Sequence, residues 1–254
     1  MELNADHLTL RLAETEEDRL GAARLRYAVF VEELGGDGAL VDHENRFEKD
    51  RFDPAYDHLI LIDTRRDPAA LDHVVGVYRL LPGDRGSAFY SADEYDLTPL
   101  IVSGKRLLEL GRSCVRDGYR NGVALHMLWT GLADYTRQRQ IDVLFGVASL
   151  HGTDVANLVG PLSLLHHRHL APPELRVRAQ EAAFQPMDLM PLADIDRVGA
   201  MRAVPALIKS YLKLGGFVGE GAFVDHDFNT TDVCLVIDID RMSPNARARY
   251  AEGA

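Results

Sequence analysis

Asp142 to Ser149 reads DVLFGVAS, a short and nearly continuous apolar run. No other stretch constrains the fold as strongly. A strand can be apolar on both faces only where other layers cover both, so this run predicts a central buried strand. More strands follow from pattern: LTLRL at 8–12 by alternation, HLILID at 58–63, HVVGVYRLL at 73–81 and LLELGRSCV at 107–115. Residues 222–225 and 233–239 read as two further strands, joined by the polar stretch HDFNTT.

Helical spacing fills the intervals. Thr15 followed by Asp18 resembles a capping box, and Leu20, Ala23, Tyr27, Phe30 and Leu34 then recur on one face until Gly35-Gly36. A second helix starts at about Gly122, with Ala124, Leu128, Gly131 and Tyr135 on one face. The pattern is helical again from Asp154, with Pro161 expected to break or restart it. A last helix runs from Pro205 to Gly215-Gly216. The acidic stretch 37–57 has no clean period and reads as a long loop, residues 171–200 as a surface excursion and 242–254 as a C-terminal tail. The order β-α-β-β-β-α-β-α-α-β-β implies a mixed sheet flanked by helices in one domain, with a core of about 8–241.

Charge excludes one class of partner and divides the chain. The formal net charge is −11, which argues against nucleic acid, since neutralising phosphates needs a basic face. From Glu32 to Asp57, nine acidic residues meet only Arg46, Lys49 and Arg51; from Lys105 to Arg139, seven basic residues meet Glu109, Asp117 and Asp134. These are either two ordinary solvated faces or an acidic region for a cationic substrate and a basic band for an anionic donor. The N-terminus lacks a basic-then-apolar leader pattern, and two cysteines, Cys114 and Cys234, suit a reducing compartment, so the expected location is cytoplasmic.

The turn Tyr119-Arg120-Asn121-Gly122-Val123-Ala124 opens the second helix, and Gly122 there lets backbone approach a ligand. It resembles the pyrophosphate-binding loop of the Gcn5-related N-acetyltransferase superfamily, whose pattern is Gln/Arg-x-x-Gly-x-Gly/Ala. Gly122 and Ala124 match, while Tyr119 replaces the first residue and leaves room for a donor bearing only phosphopantetheine. Leu25–Phe30, Asp50–Asp53, Gly76–Leu81 and Glu109–Arg112 follow in the order found in the acyl-homoserine-lactone synthases, without their usual tryptophan near Gly35-Gly36. The stretches from His169, Pro205, Phe217 and Phe228 resemble the bacterial L-ornithine Nα-acyltransferases, and that likeness covers about 8–241.

The resemblance implies an α/β (α+β) Gcn5-related N-acetyltransferase-like domain with a mixed, mostly antiparallel sheet. It implies an acyltransferase that moves a 3-hydroxyacyl chain from acyl carrier protein to the α-amine of L-ornithine, giving lyso-ornithine lipid. The alternatives are a lactone-synthase-like enzyme and a non-catalytic acyl- or carrier-binding module. On this resemblance Arg26, Phe30, Asp50, Asp53, Arg79 and Arg112 fall on signature positions and are expected to bind substrate. Asn229, Thr230 and Asp232 join them, with a polar hairpin turn as their alternative. Val115, Arg116, Arg120, Asn121, Gly122, Val123 and Ala124 would hold the phosphopantetheine arm, and no tightly bound cofactor or metal is expected.

Chemistry assigns the remaining roles. An α-amine is largely protonated at neutral pH, so a carboxylate must accept its proton, and Glu109 is the candidate catalytic residue. Its alternative is an ion pair with Arg112, three residues on and so on the opposite strand face. Asp42, Glu44, Asp50 and Asp53 are candidates for the second amine of ornithine; Asp50 and Asp53 could instead tie the loop to Arg26 or Arg79, whose apolar neighbours make an unpaired charge costly. Cys114 reads as buried rather than nucleophilic. His166, His167 and His169 read as helix-end residues, with no carboxylate spacing to complete a metal cluster. The segment 205–214 is either a peripheral membrane contact, with Leu207, Tyr211 and Leu214 on one face, or a helix packed on the sheet.

Overall fold

The apolar run at 142–149 is a strand in the computed structural model, paired along its whole length with an antiparallel neighbour. The structure describes residues 6–39, 41–86, 88–120 and 122–252. In chain order its elements are β1 (Leu8–Leu12), α1 (Glu16–Arg26), β2 (Asp57–Asp63), β3 (Val74–Pro82), β4 (Tyr95–Asp96), α2 (Thr98–Val102), β5 (Leu107–Val115), α3 (Val123–Gln138) and β6 (Val143–His151). They continue as α4 (Val159–His169), β7 (Arg178–Ala179), β8 (Phe184–Gln185), α5 (Arg197–Ala203), α6 (Ala206–Lys213), β9 (Phe217–Val218), β10 (Ala222–Asp225), β11 (Thr230–Asp238) and α7 (Pro244–Glu252). The class is α/β, a mixed and mostly antiparallel sheet flanked by helices.

Two compact units divide the chain. The first takes residues up to Leu81, Leu110–Gln140 and Ala248 onward. Here β1, β2 and β3 form an antiparallel meander, and β3 lies beside β5. The Thr15 hydroxyl accepts from the Asp18 backbone while the Asp18 side chain accepts from the Thr15 backbone, the expected capping box. α1 buries Ala22 and Leu25 against Ile60, Ile62, Val74 and Val77. It runs on as π-helical turns over Tyr27–Glu33. On α3, a Cβ at Gly131 would come within 2.4 Å of Leu10 Cδ2, so the approach of α3 to β1 requires glycine. The expected tail is instead helical. Tyr250 of α7 is buried, donates to Thr136 Oγ1 at 2.7 Å and meets the Trp129 ring edge-on.

The second unit takes Pro82–Glu109 and Ile141–Arg247. β6 pairs antiparallel with β11, β11 with β10 and β10 with β8. The start of β5 pairs parallel with β6 over Leu107–Glu109 and Val143–Phe145. Residues 171–200 are not a surface excursion. Leu175, Val177 and Ala179 are buried in one cluster with Val143, Phe145 and Val236, and β7 pairs with β4. Leu175, Val177 and Ala179 alternate with Arg176, Arg178 and Gln180, a short period of two set in a stretch rich in Pro, Ala and Arg. Pro161 does not break the helix, since it falls in the first turn of α4, where its missing N–H has no helical partner to lose. On α6, Ile208 and Tyr211 are buried, as is Leu214 just after it, while Leu207 is half-buried, so the helix packs inward, the second of its two expected arrangements. Among the described residues no helix is long and apolar enough to cross a membrane.

One buried group makes stability pH-dependent. His58 of β2 is 5% exposed, with Nε2 3.3 Å from the Asp53 carbonyl. Burial, and then the nearby Arg26 charge, push its pKa down to about 4. An unfolded histidine titrates near 6.5, so between these values the unfolded chain takes up a proton that the folded chain refuses. The contribution is complete above about pH 6.5 and is lost as pH falls toward 4. Denaturant melts from pH 7 to 4 should show a fall of up to about 3 kcal/mol assigned to this group. His58→Gln should flatten that part of the profile, and an unchanged slope would remove His58 as its source.

Candidate functional site

In the first unit, three arginines and three carboxylates neutralise one another. Arg26, the last residue of α1, is fully buried and reaches Asp53 with both terminal nitrogens at 2.6 Å. Its Nε lies 2.5 Å from Glu48 Oε2. Arg79 of β3, also fully buried, meets Asp50 at 2.6 Å and Asp53 at 3.0 Å and stacks 4.4 Å above the Tyr56 ring. Arg112 of β5 meets Glu48 at 3.0 Å and Asp50 at 3.3 Å. Burial alone would raise the carboxyl of Asp53, but the Arg26 hydrogen bonds and charge outweigh it and hold the group well below the usual range. Glu48 and Asp50 are lowered in the same way, against burial, by Arg26 and Arg79 respectively, and both by Arg112. The expected substrate-binding set is therefore engaged with itself, and the loop 37–57 is tied down. Glu48 was not legible as a member, because nothing in the sequence separates it from its acidic neighbours. Phe30 lies in the π-helical turns and packs on the Leu25–Ile60 cluster.

Glu109 sits one turn of alternation from Gly111 on β5, in the second unit. It is 1% exposed and accepts backbone N–H bonds from Tyr90 at 3.0 Å and Ser91 at 2.6 Å. Arg112, in the first unit, reaches Glu48 and Asp50. Arg112 itself has φ +49 inside a strand, a conformation that rotates its peptide out of the regular ladder. Cys114 is buried, and burial pushes its thiol up to about 12, which leaves no thiolate for nucleophilic chemistry at neutral pH.

The turn after β5 has the form of an anion site. Val115 ends the strand, Gly122 at φ +92 opens α3 at Val123, and Ala124 is buried. Gly122, the N-cap residue of α3, brings no side-chain cap to the helix start, whose positive dipole end favours an anion. Arg116 donates only to the Val74 carbonyl, at 3.3 Å, has no carboxylate partner among the described residues, and its buried Nε is unbonded. Burial and then the Arg66 charge lower its pKa. Arg120 differs: it donates to the Val115 carbonyl and pairs with Glu33 at 2.6 Å. Tyr119 donates to Asp63 Oδ2 at 2.6 Å. Asn121 lies outside the described residues.

The C-terminal candidates separate. Asn229, at φ +52, is the turn residue. Thr230, Thr231 and Asp232 are not in a turn but in β11, opposite His151, Leu150 and Ser149 of β6. Asp232 is buried, and its carboxylate lies with those of Glu94 and Asp225 so that an oxygen of each falls within 4.8 Å of the others. Sequence reading missed Glu94 and Asp225, which lie outside the acidic stretch it examined. An all-carboxylate cluster suits an ammonium group or a hard cation.

An acetyltransferase (GNAT) domain matches residues 25–130. The L-ornithine N(alpha)-acyltransferase of Rhodobacter capsulatus is 58% identical over 95% of this chain and 93% of its own. That of Brucella abortus is 40% identical over 97% of this chain and 90% of its own. Among solved structures, FeeM, an N-acyl amino acid synthase from uncultured soil microbes, aligns over 95% of this chain and 97% of its own with a TM-score of 0.53 at 11% identity, a likeness of fold. With identities this high over nearly the full length, the chain belongs to the L-ornithine Nα-acyltransferase family of GNAT-fold acyltransferases.

Proposed function

We propose that the protein transfers a 3-hydroxyacyl chain from the phosphopantetheine arm of acyl carrier protein to the α-amine of L-ornithine, giving lyso-ornithine lipid. The carrying observation is the near-full-length match to relatives that bear the ornithine acyltransferase name. The amine nitrogen attacks the thioester carbonyl, a C–N bond forms, the C–S bond breaks, the carrier thiol leaves and the amine loses a proton. Incubation with 3-hydroxyacyl carrier protein and ornithine, lysine or glutamine, read by mass spectrometry, tests it. Absence of an N-acyl product defeats the reading, consumption of S-adenosylmethionine would favour a lactone synthase, and equal turnover of acyl-coenzyme A would remove the carrier.

Glu109 is the proposed proton acceptor. The backbone N–H bonds from Tyr90 and Ser91 orient its carboxylate, a group with about four acceptor positions. Glu109→Gln should lower kcat by about 10²–10⁴ with little change in donor KM. Because the amide would also set an NH₂ against a backbone N–H, thermal melts accompany the kinetics. A lowered Tm with unchanged kcat would leave Glu109 as an anchor of the 90–93 turn and nothing more.

The donor phosphate is assigned to the start of α3 and to Arg116, the arginine there without a carboxylate. Arg116→Ala should raise donor KM roughly tenfold, about 1.4 kcal/mol. Arg120→Ala, already paired with Glu33, should change it less. The reverse order would move the phosphate to Arg120.

For the acceptor, the side-chain ammonium of ornithine is assigned to Asp232 with Glu94 and Asp225. Asp232→Asn should raise ornithine KM by about 10–100-fold, a charge-assisted bond being worth about 1.5–3 kcal/mol. It should also narrow the preference for ornithine over 2-aminopentanoate, which lacks that ammonium. An unchanged preference would place the ammonium elsewhere.

A further inference from the structure

The C-terminal turn of α4 carries His166 and His167, and the chain returns to it at Asp188. The return is anchored: Met187 is buried, the Leu189 N–H donates to Ser163 Oγ at 3.2 Å, and His167 Nε2 lies 3.0 Å from the Met190 carbonyl. Asp188 Oδ1 is 3.2 Å from the same Nε2. The rings of His166 and His167 stand edge to face at 5.3 Å, and one donor atom from each of His166, His167 and Asp188 falls within 4.8 Å of the others. The carboxylate absent from the local sequence spacing is thus supplied from some twenty residues away.

We propose that His166, His167 and Asp188, with the Met190 carbonyl as a fourth donor, form a site for a divalent transition metal of the zinc class. The geometry suits it. Two ligands about 2.0–2.1 Å from a tetrahedral metal stand about 3.3 Å apart, close to the His167–Asp188 and His167–Met190 separations. The metal takes the place of the proton that otherwise bridges Nε2 to those oxygens. Two imidazoles and one carboxylate suit zinc, cobalt or nickel better than calcium or magnesium, which take oxygen sets. The negative end of α4 also favours a cation here. Arg168 opposes it but is exposed, and His169 is the remaining titratable group of that turn. The bound ion would fasten the 187–190 return to α4, so the site is one of stability rather than chemistry and stands apart from acyl transfer.

The test uses the full chain without an affinity tag. Titration with Zn²⁺ and Co²⁺ should show one saturable equivalent, a visible Co²⁺ absorption and a Tm that rises with Zn²⁺. His166→Ala and Asp188→Asn, both at the surface, should each weaken Zn²⁺ binding at least tenfold, whereas His226→Ala should not. Asp232→Asn should leave binding intact, which separates this site from the carboxylate cluster of β10 and β11. No saturable binding, or equal binding by the His166→Ala/Asp188→Asn double variant, overturns the proposal.

Discussion

Everything in the first unit depends on two guanidinium groups that have no access to water. Arg26 and Arg79 are fully buried, and a buried charge without a partner would cost several kcal/mol. The sheet and α1 provide no carboxylates where they lie. The loop 37–57 does, through Glu48, Asp50 and Asp53, and this obliges twenty residues without periodicity to take one course. Asp50 Oδ1 also accepts the Phe52 and Asp53 N–H groups, so the same side chain that answers Arg79 shapes the turn after it. Removing one carboxylate would leave an uncompensated charge, a loss of about 3–5 kcal/mol for a buried pair. The network acts as a fastening.

That dependence explains what sequence could and could not reveal. Strands β1, β2, β3, β5 and β6 were legible because a sheet position imposes a period of two, or a continuous apolar run, that survives in one sequence. The capping box at Thr15 and Asp18 was legible for the same local reason. The course of 171–200 was not, because the alternation of Leu175, Val177 and Ala179 with Arg176 and Arg178 is short and its packing partners on β6 and β11 lie far along the chain. α7 carries no apolar stripe in sequence, because its buried Tyr250 stands among polar residues. Glu48 and Glu94 belong to the same class: a buried carboxylate looks like any other until its partners are known.

The partners of Glu109 and of Arg112 were out of reach of any local pattern. Glu109 answers backbone N–H groups eighteen and nineteen residues upstream, and Arg112 answers a loop more than sixty residues away. The Gly122 turn was legible because a positive φ at a helix start demands glycine. The difference between its arginines was not. Arg116 and Arg120 look equivalent four residues apart, yet Glu33 from the π-helical turns pairs with Arg120, while Arg116 has no carboxylate in salt-bridge contact among the described residues.

The charge asymmetry takes on a different meaning once partners are counted. The acidic stretch 32–57 suggests a cationic substrate, but its buried carboxylates are answered by Arg26, Arg79 and Arg112, and Glu32 and Glu33 by Arg46 and Arg120. A region dense in acid therefore presents little unanswered charge. The carboxylates that converge with one another, Glu94, Asp225 and Asp232, come from two short acidic segments, brought together by the turn before β4 and the β10–β11 hairpin. Three such groups within 4.8 Å repel one another in a poorly solvated place, and a cation between them relieves that repulsion. A cationic group is what this geometry accommodates, whereas a neutral one leaves the repulsion in place.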